Sequence, residues 1–245
     1  MKLRGGVVII GSLLWEDHLE PNKKDNVRLN WRNRYLSSVD QSILTKVPIR
    51  YGRQSSTRQD TYTMVFSSFC NTRLGQGRIL PFSEDIKSFE DLERQAIALA
   101  IAEGIYKEGN KRLTSNWGSV ALLLNPELSR TDPAAFELIE QRWAEIYKSY
   151  SQTFVSNNYK VKEESQSSIT PSGLLNITWQ TQMNNFDILI GTTVVPKPKI
   201  VLTPKQIYDK INETGYVKYF RENRQNGIHT YQDNDIEVGI TVDKR

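Results

Sequence analysis

The sequence predicts an α+β fold built on a mixed or partly closed β-sheet or barrel with flanking helices. Three observations carry this expectation. Runs of β-branched, aromatic and leucine residues stand near the start of the chain (Val7 to Ile10), in its middle (Trp117 to Leu124) and towards its end (Phe186 to Val195). Between them lie segments with helical spacing and recognisable caps. The two kinds do not alternate in the strand-helix rhythm of a doubly wound parallel sheet. A chain of 245 residues can bury a sizeable core in one domain. Within it we read a core over 1–125, a helical segment over 131–156, and further strands and a helix over 157–245 that complete the sheet.

The first element is VVIIGSLLW, Val7 to Trp15: a short continuous apolar run that stops at Gly11 and Ser12. Such a run reads as a buried strand ending at a turn whose backbone comes close to something. A ligand and an ordinary tight turn are both open at this point. Glu16 to Asn26 is polar, contains Pro21 and reads as a loop. Val27, Leu29 and Trp31 alternate with Arg28, Asn30 and Arg32, the period of a half-exposed strand. Val47 to Asp60 carries Arg50, Tyr51, Gly52, Arg53, Ser55, Ser56 and Arg58, and reads as a long loop or hairpin of high polar density. Tyr62, Met64 and Phe66 mark another strand, and Asn71 to Gly77 a glycine-containing turn.

The next helix is the clearest in the first half. Ser88 with Asp91 approximates a capping box. Phe89, Leu92, Ala96, Leu99 and Glu103 then share one face, so Glu103 continues an apolar stripe. Ile97 and Ile101 extend the apolar character, and Gly104 and Gly109 end the element. Trp117 to Leu124 reads as a central strand covered on both faces. Asp132 and Pro133 open a second helix as N-cap and first residue. Its aromatic stripe of Phe136, Trp143, Tyr147, Tyr150 and Phe154 reads as packing. Glu163 to Ser172 is polar enough for a mobile loop. Strands are expected over Asn158 to Val161, Leu174 to Gln180 and Phe186 to Val195. Thr203, Pro204 and Gln206 open a short helix that Gly215 closes. Residues 216–245 carry aromatic anchors without an assignable pattern.

Composition narrows the function. The net charge of +4 is spread along the chain without a basic block, which argues against nucleic acid as a partner. The single cysteine, Cys70, cannot form an internal disulfide and fits a reducing compartment as a small buried side chain. No run reaches the length of a membrane span, and the N-terminal stretch lacks the features of a signal peptide, so a cytoplasmic location is expected. With two histidines and one cysteine a His/Cys zinc centre is not expected, and no metal or cofactor is assigned. The nucleophile-elbow, phosphate-loop and dinucleotide glycine signatures do not occur.

What remains is carboxylate chemistry beside a bare turn. A Glu on a buried apolar stripe loses hydration and becomes able to take a proton near neutral pH. Glu103 fits that description, unless it sits at the helix end and pairs with Lys107. In the arginine-rich segment, Tyr51 and Arg53 flank Gly52 and are the candidate substrate contacts. A solvated hairpin with scattered arginines is the alternative.

The runs IIGSLLW (9–15), RLNWRNRYL (28–36), the polar segment with Pro48 and Gly52, and EGIYKEG (103–109) before the strand at Trp117 resemble the gamma-glutamylcyclotransferase superfamily, including its glutathione-degrading ChaC-type members. The resemblance covers about the first half of the chain and lies in order and spacing more than identity. It implies a gamma-glutamylcyclotransferase-like fold and an enzyme that releases 5-oxoproline, or a similar cyclic product, from a gamma-glutamyl amine or peptide. It implies no metal and no cofactor. Gly11, Ser12 and Leu13, extended to Leu14, match the substrate loop, and Glu103 matches the general acid/base. Ile10 stands where the family usually has Tyr. The spacing after Glu103 is tighter than the family prefers, so Glu108 is the alternative aligned carboxylate. The implied partner is a small acidic or amino-acyl substrate, with neither nucleic acid nor membrane; the sequence does not speak to oligomeric state. A non-catalytic member of the same fold, binding a small ligand or a protein, is the alternative reading.

Overall fold

The structure is a computed structural model and describes residues 1–17, 26–106 and 112–241. Its strands are β1 (Gly5–Ile9), β2 (Ile43–Val47), β3 (Ile49–Ser55), β4 (Thr61–Phe66), β5 (Gly75–Pro81), β6 (Gly118–Leu124) and β7 (Ile188–Val194). Its helices are α1 (Val27–Tyr35), α2 (Phe89–Glu103), α3 (Leu128–Thr131), α4 (Pro133–Lys148), α5 (Pro204–Thr214), α6 (Lys218–Gln225) and α7 (Asp233–Gly239). The fold is α+β. Five strands form one mixed sheet in the order β2-β5-β1-β7-β6, and β3 and β4 form a separate hairpin.

β1 occupies the middle of the sheet. Val7 lies opposite Leu80 of antiparallel β5 and opposite Ile190 of parallel β7, and every residue of β1 is buried. Burial on both faces explains why the run is continuously apolar instead of alternating. The sheet is open, ending at β2 and β6, which corrects the partly closed variant of the expected fold. β6 is buried along most of its length as predicted, but it is the last strand and not a central one. Its free edge is satisfied locally. The Leu122 N–H donates to the Gly173 carbonyl (3.1 Å) and its carbonyl accepts from Leu175 N–H (2.7 Å).

Several elements depart from the sequence reading for identifiable reasons. The stretch read as a half-exposed strand is α1. Arg28, Trp31 and Arg32 fall at i, i+3 and i+4 and are its buried side chains. A period of two places these arginines in solvent; the structure holds them inside through carboxylates and carbonyls, Arg32 pairing with Asp17 and donating to the Leu13 carbonyl at 2.7 Å. The glycine-containing turn over Asn71 to Gly77 gives way to β5 from Gly75 onward. A Cβ at Gly75 would sit 2.5 Å from the His229 carbonyl oxygen, so this glycine admits a crossing backbone rather than a turn. Over 156–159 the expected strand is a 3-10 turn, and 174–175 make only single bridges. The polar segment 163–172 is pinned inward: Glu164, Ser168 and Ile169 are buried.

The capped helices match expectation. Ser88 and Asp91 form a reciprocal capping box on α2, and Gly104 ends it in the left-handed conformation (φ 76°). Ile101 is exposed, and the second half of α2 buries Ala98, Leu99, Ala100 and Ala102 instead. α2 packs on α1, β6 and β7. Asp132 caps α4, whose Trp143 and Tyr147 are fully buried, with Trp143 donating to the Gly173 carbonyl at 3.0 Å. Thr203 and Gln206 cap α5, and Gly215 closes it. Cys70 is buried, and burial pushes its thiol up to about 11. No helix among the described residues is long and apolar enough to cross a membrane.

α7 opens on Asp233, which is 1% exposed. Its Oδ1 accepts from Thr230 N (2.8 Å) and Thr230 Oγ1 (2.6 Å), while Oδ2 has no partner among the described residues. Burial, opposed by the Thr230 hydrogen bonds, raises the carboxyl to about 6. A carboxyl raised above its unfolded value keeps a proton in the folded state that the unfolded chain has lost. Stability therefore falls as pH rises from about 4 to about 6 and is flat in this respect above. Asp233→Asn is expected to remove that fall, with a gain over wild type that grows to the order of 2–3 kcal/mol by pH 7. Urea unfolding at stepped pH measures it; a gain that does not change between pH 4 and pH 7 excludes Asp233 as the titrating group.

Candidate functional site

β1 delivers the chain to Ile10 and Gly11, and a single 3-10 turn (Ser12–Leu14) follows at once. The strand is the rigid part, and the turn presents backbone at its C-terminal end. A cleft of about 360 Å³ opens there, the size range of small-ligand sites. Its walls are the 10–13 turn, the end of the β3–β4 hairpin, the last residues of β7 with Trp117, the end of α2, and α6.

Arg28 is the centre of the polar wall. It is 5% exposed. Its Nη1 donates to Ser12 Oγ (3.0 Å) and Glu16 Oε2 (2.6 Å), its Nη2 to Glu103 Oε2 (2.9 Å), and its Nε to the Ala102 carbonyl (3.3 Å). One planar guanidinium thus joins the turn after β1 to the last residue of α2, a bridge that a point-charge lysine cannot reproduce. Arg58 approaches from the hairpin. It donates to Ser12 Oγ (2.7 Å) and Ser55 Oγ (3.1 Å), pairs with Glu16, and has a buried Nε with no partner among the described residues. Ser12 Oγ therefore accepts from two guanidiniums. Both lone pairs are taken, which leaves its O–H as a donor.

Arg53 forms the other end. The hairpin is tied beyond β7 by Gln54 N–H to the Lys197 carbonyl and Lys197 N–H to the Gly52 carbonyl, both 2.8 Å. Arg53 Nη1 donates to the Val195 carbonyl (2.7 Å), and the guanidinium lies 5.4 Å from the Trp117 ring. Among the described residues it pairs with no carboxylate. Burial lowers its pKa from the usual arginine value, which still leaves it charged. Thr192 adds a buried Oγ1 without a partner among the described residues. Among the described residues three guanidiniums thus meet two carboxylates, Glu16 and Glu103. The imbalance favours a ligand carrying negative charge.

The residues singled out from the sequence divide. Gly11, Ser12, Leu13, Arg53 and Glu103 line this one cleft, as does Ile10. Leu14 and Tyr51 do not: both side chains are buried in the core, Tyr51 at 1% exposure with its hydroxyl unpartnered among the described residues. Glu103 is partly exposed and bound to Arg28, not isolated on an apolar stripe. Glu108, His18, Lys107 and Gly109 lie outside the described residues. Arg50 belongs to the core. Sequence reasoning missed Arg28 and passed over Arg58. It also missed Tyr219, whose ring lies 5.4 Å from the Arg58 guanidinium and whose Oη accepts from Met64 N–H at 3.1 Å.

A site of this kind can bind a small zwitterion or acid, exchange a proton through Glu103, and offer the Ser12 hydroxyl to an acyl oxygen. Among the described residues no cluster of three or more His, Cys, Asp or Glu side chains is arranged for a metal ion. No family model matches the chain, no curated protein matches it, and no solved structure matches it.

Proposed function

We propose that the chain is a gamma-glutamylcyclotransferase-like enzyme that cyclises the glutamyl part of a gamma-glutamyl amine or peptide, releasing 5-oxoproline and the amine. The observation that carries this reading is the meeting of Glu103 and the Gly11–Leu13 turn in one cleft, joined by Arg28, although about ninety residues separate them in sequence. The substrate α-ammonium gives up one proton to solvent through Glu103, the freed amine attacks the γ-carbonyl, and the carboxylate takes the second proton that the attacking nitrogen then sheds and passes it to the leaving nitrogen. The C–N bond to the leaving amine breaks as the ring C–N bond forms. Holding the amine against the carbonyl makes the step intramolecular. The positive excess among the described residues of the cleft suits the substrate's α-carboxylate.

Incubating the protein with a panel of gamma-glutamyl dipeptides and following 5-oxoproline tests the reading. Glu103→Gln is expected to lower the rate by about 10²–10⁴-fold. Full activity of that variant removes Glu103 as the acid/base. The Arg28–Glu103 ion pair favours a second reading, a non-catalytic member of the fold that binds a small acid, and binding of substrate without turnover selects it.

A further inference from the structure

We propose that Tyr219 is a ligand-binding residue of this cleft, its phenol O–H donating to an acyl oxygen of the bound molecule beside Gly11. The proposal rests on the cyclotransferase-type reading for the identity of the ligand, but its geometry is independent of any reaction.

Tyr219 is 4% exposed and lines the cleft from α6. Its oxygen accepts from Met64 N–H at 3.1 Å, and among the described residues its own O–H has no acceptor at bonding distance, the nearby Asn223 amide being taken by Trp15 Nε1 and by the Tyr219 carbonyl. A buried donor left unmade is costly, so an acceptor in the cleft is the natural complement. Gly11 supports the same placement. A Cβ there would lie 2.6 Å from Tyr219 Oη, so the missing side chain at Gly11 is what lets the phenol reach the turn. Burial raises the phenol to about 12, which keeps the proton on the oxygen at any physiological pH.

The ring is also held in place. Arg58 lies against it. Trp15 Nε1 donates to Asn223 Oδ1 (2.9 Å), and Asn223 Nδ2 donates to the Tyr219 carbonyl (2.8 Å), so α6 is fastened to the residue that follows the 12–14 turn. Ser12 and Tyr219 then present two hydroxyl donors beside Gly11, and Arg58 touches both side chains. That arrangement suits an oxygen that is, or becomes, negatively charged.

The test uses the full chain, with 5-oxoproline and gamma-glutamylalanine as probes. Tyr219→Phe keeps the ring and its packing on Arg58 and removes only the hydroxyl. It is expected to weaken binding of both probes, and kcat/KM where there is turnover, by about tenfold or more. Because Met64 N–H also loses its acceptor, a drop in Tm alone is the signature of a merely structural role. Unchanged affinity with a lowered Tm therefore overturns the proposal. Incorporation of 3-fluorotyrosine at 219 acidifies the phenol without reshaping the cleft, and is expected to tighten binding; no change overturns the proposal even where the phenylalanine variant folds poorly. Binding that depends on Tyr219 without release of 5-oxoproline upholds this inference and removes the reaction, whereas turnover indifferent to the hydroxyl does the reverse. Failure of both probes to bind at millimolar concentration overturns both.

Discussion

Replacing Glu164 by alanine is expected to destabilise the protein by about 3–5 kcal/mol, because it leaves a buried guanidinium without its carboxylate. Arg50 is 0% exposed, and its Nη2 and Nε donate to Glu164 Oε1 at 2.9 and 3.1 Å. Glu164 is itself almost wholly buried; its Oε1 also accepts from the Ser67 hydroxyl and its Oε2 from Val161 N–H at 2.7 Å. Without the carboxylate, the guanidinium keeps only Ser67 Oγ (2.9 Å) and the Tyr51 carbonyl (3.2 Å), so an uncompensated charge stays in the core. The double variant Arg50→Met with Glu164→Leu removes both charges and is expected to recover most of the loss, because two desolvated ions are exchanged for apolar volume. Urea unfolding of the two singles and the double decides it. Singles within about 1 kcal/mol of wild type would show that water reaches the pair.

This pair also marks where the sequence stops being informative. Arg50 stands among arginines that suggest a substrate-facing loop, and Glu164 stands in a run polar enough to suggest a mobile one. Each residue alone looks like surface; only their contact across more than a hundred positions makes both core. The same reason hid Arg28 and Arg32. A period of two follows when charged side chains are placed in water, whereas i, i+3, i+4 burial with paired charges is what folds. Features with local causes were legible: the Ser88 and Thr203 boxes, the Asp132 cap, the left-handed glycines Gly104 and Gly215, and the doubly buried β1. Half of the cleft was legible too, since the bare turn at Gly11 and the carboxylate at Glu103 are local signals. Tyr219 gave no signal, because only tertiary packing of α6 shows which way a single aromatic residue faces.

Arg28 is expected to couple the two halves of the cleft more strongly than any other residue. Arg28→Met leaves Glu16 with Arg58 alone and Glu103 with no cation among the described residues, and it frees one lone pair of Ser12. Hydrogen bonds to charged groups contribute about 1.5–3 kcal/mol. The carboxylate side chains are 24% and 17% exposed, so solvent recovers part of that, and a net loss of about 2 kcal/mol is expected. The functional loss should exceed the loss in stability. With the bridge gone, no hydrogen bond among the described residues fixes the Glu103 side chain against the 11–13 turn, and misplacement by an ångström is enough to cost about a hundredfold in rate. A double-mutant cycle of Arg28→Met with Glu103→Gln separates the two effects. Contact through one ion pair predicts a coupling of about 1–3 kcal/mol in unfolding. In probe binding it predicts that the double variant is no worse than the poorer single. Additive losses in both would mean that Arg28 and Glu103 serve separate sites, and the carboxylate would then have no part in the chemistry of the turn after β1.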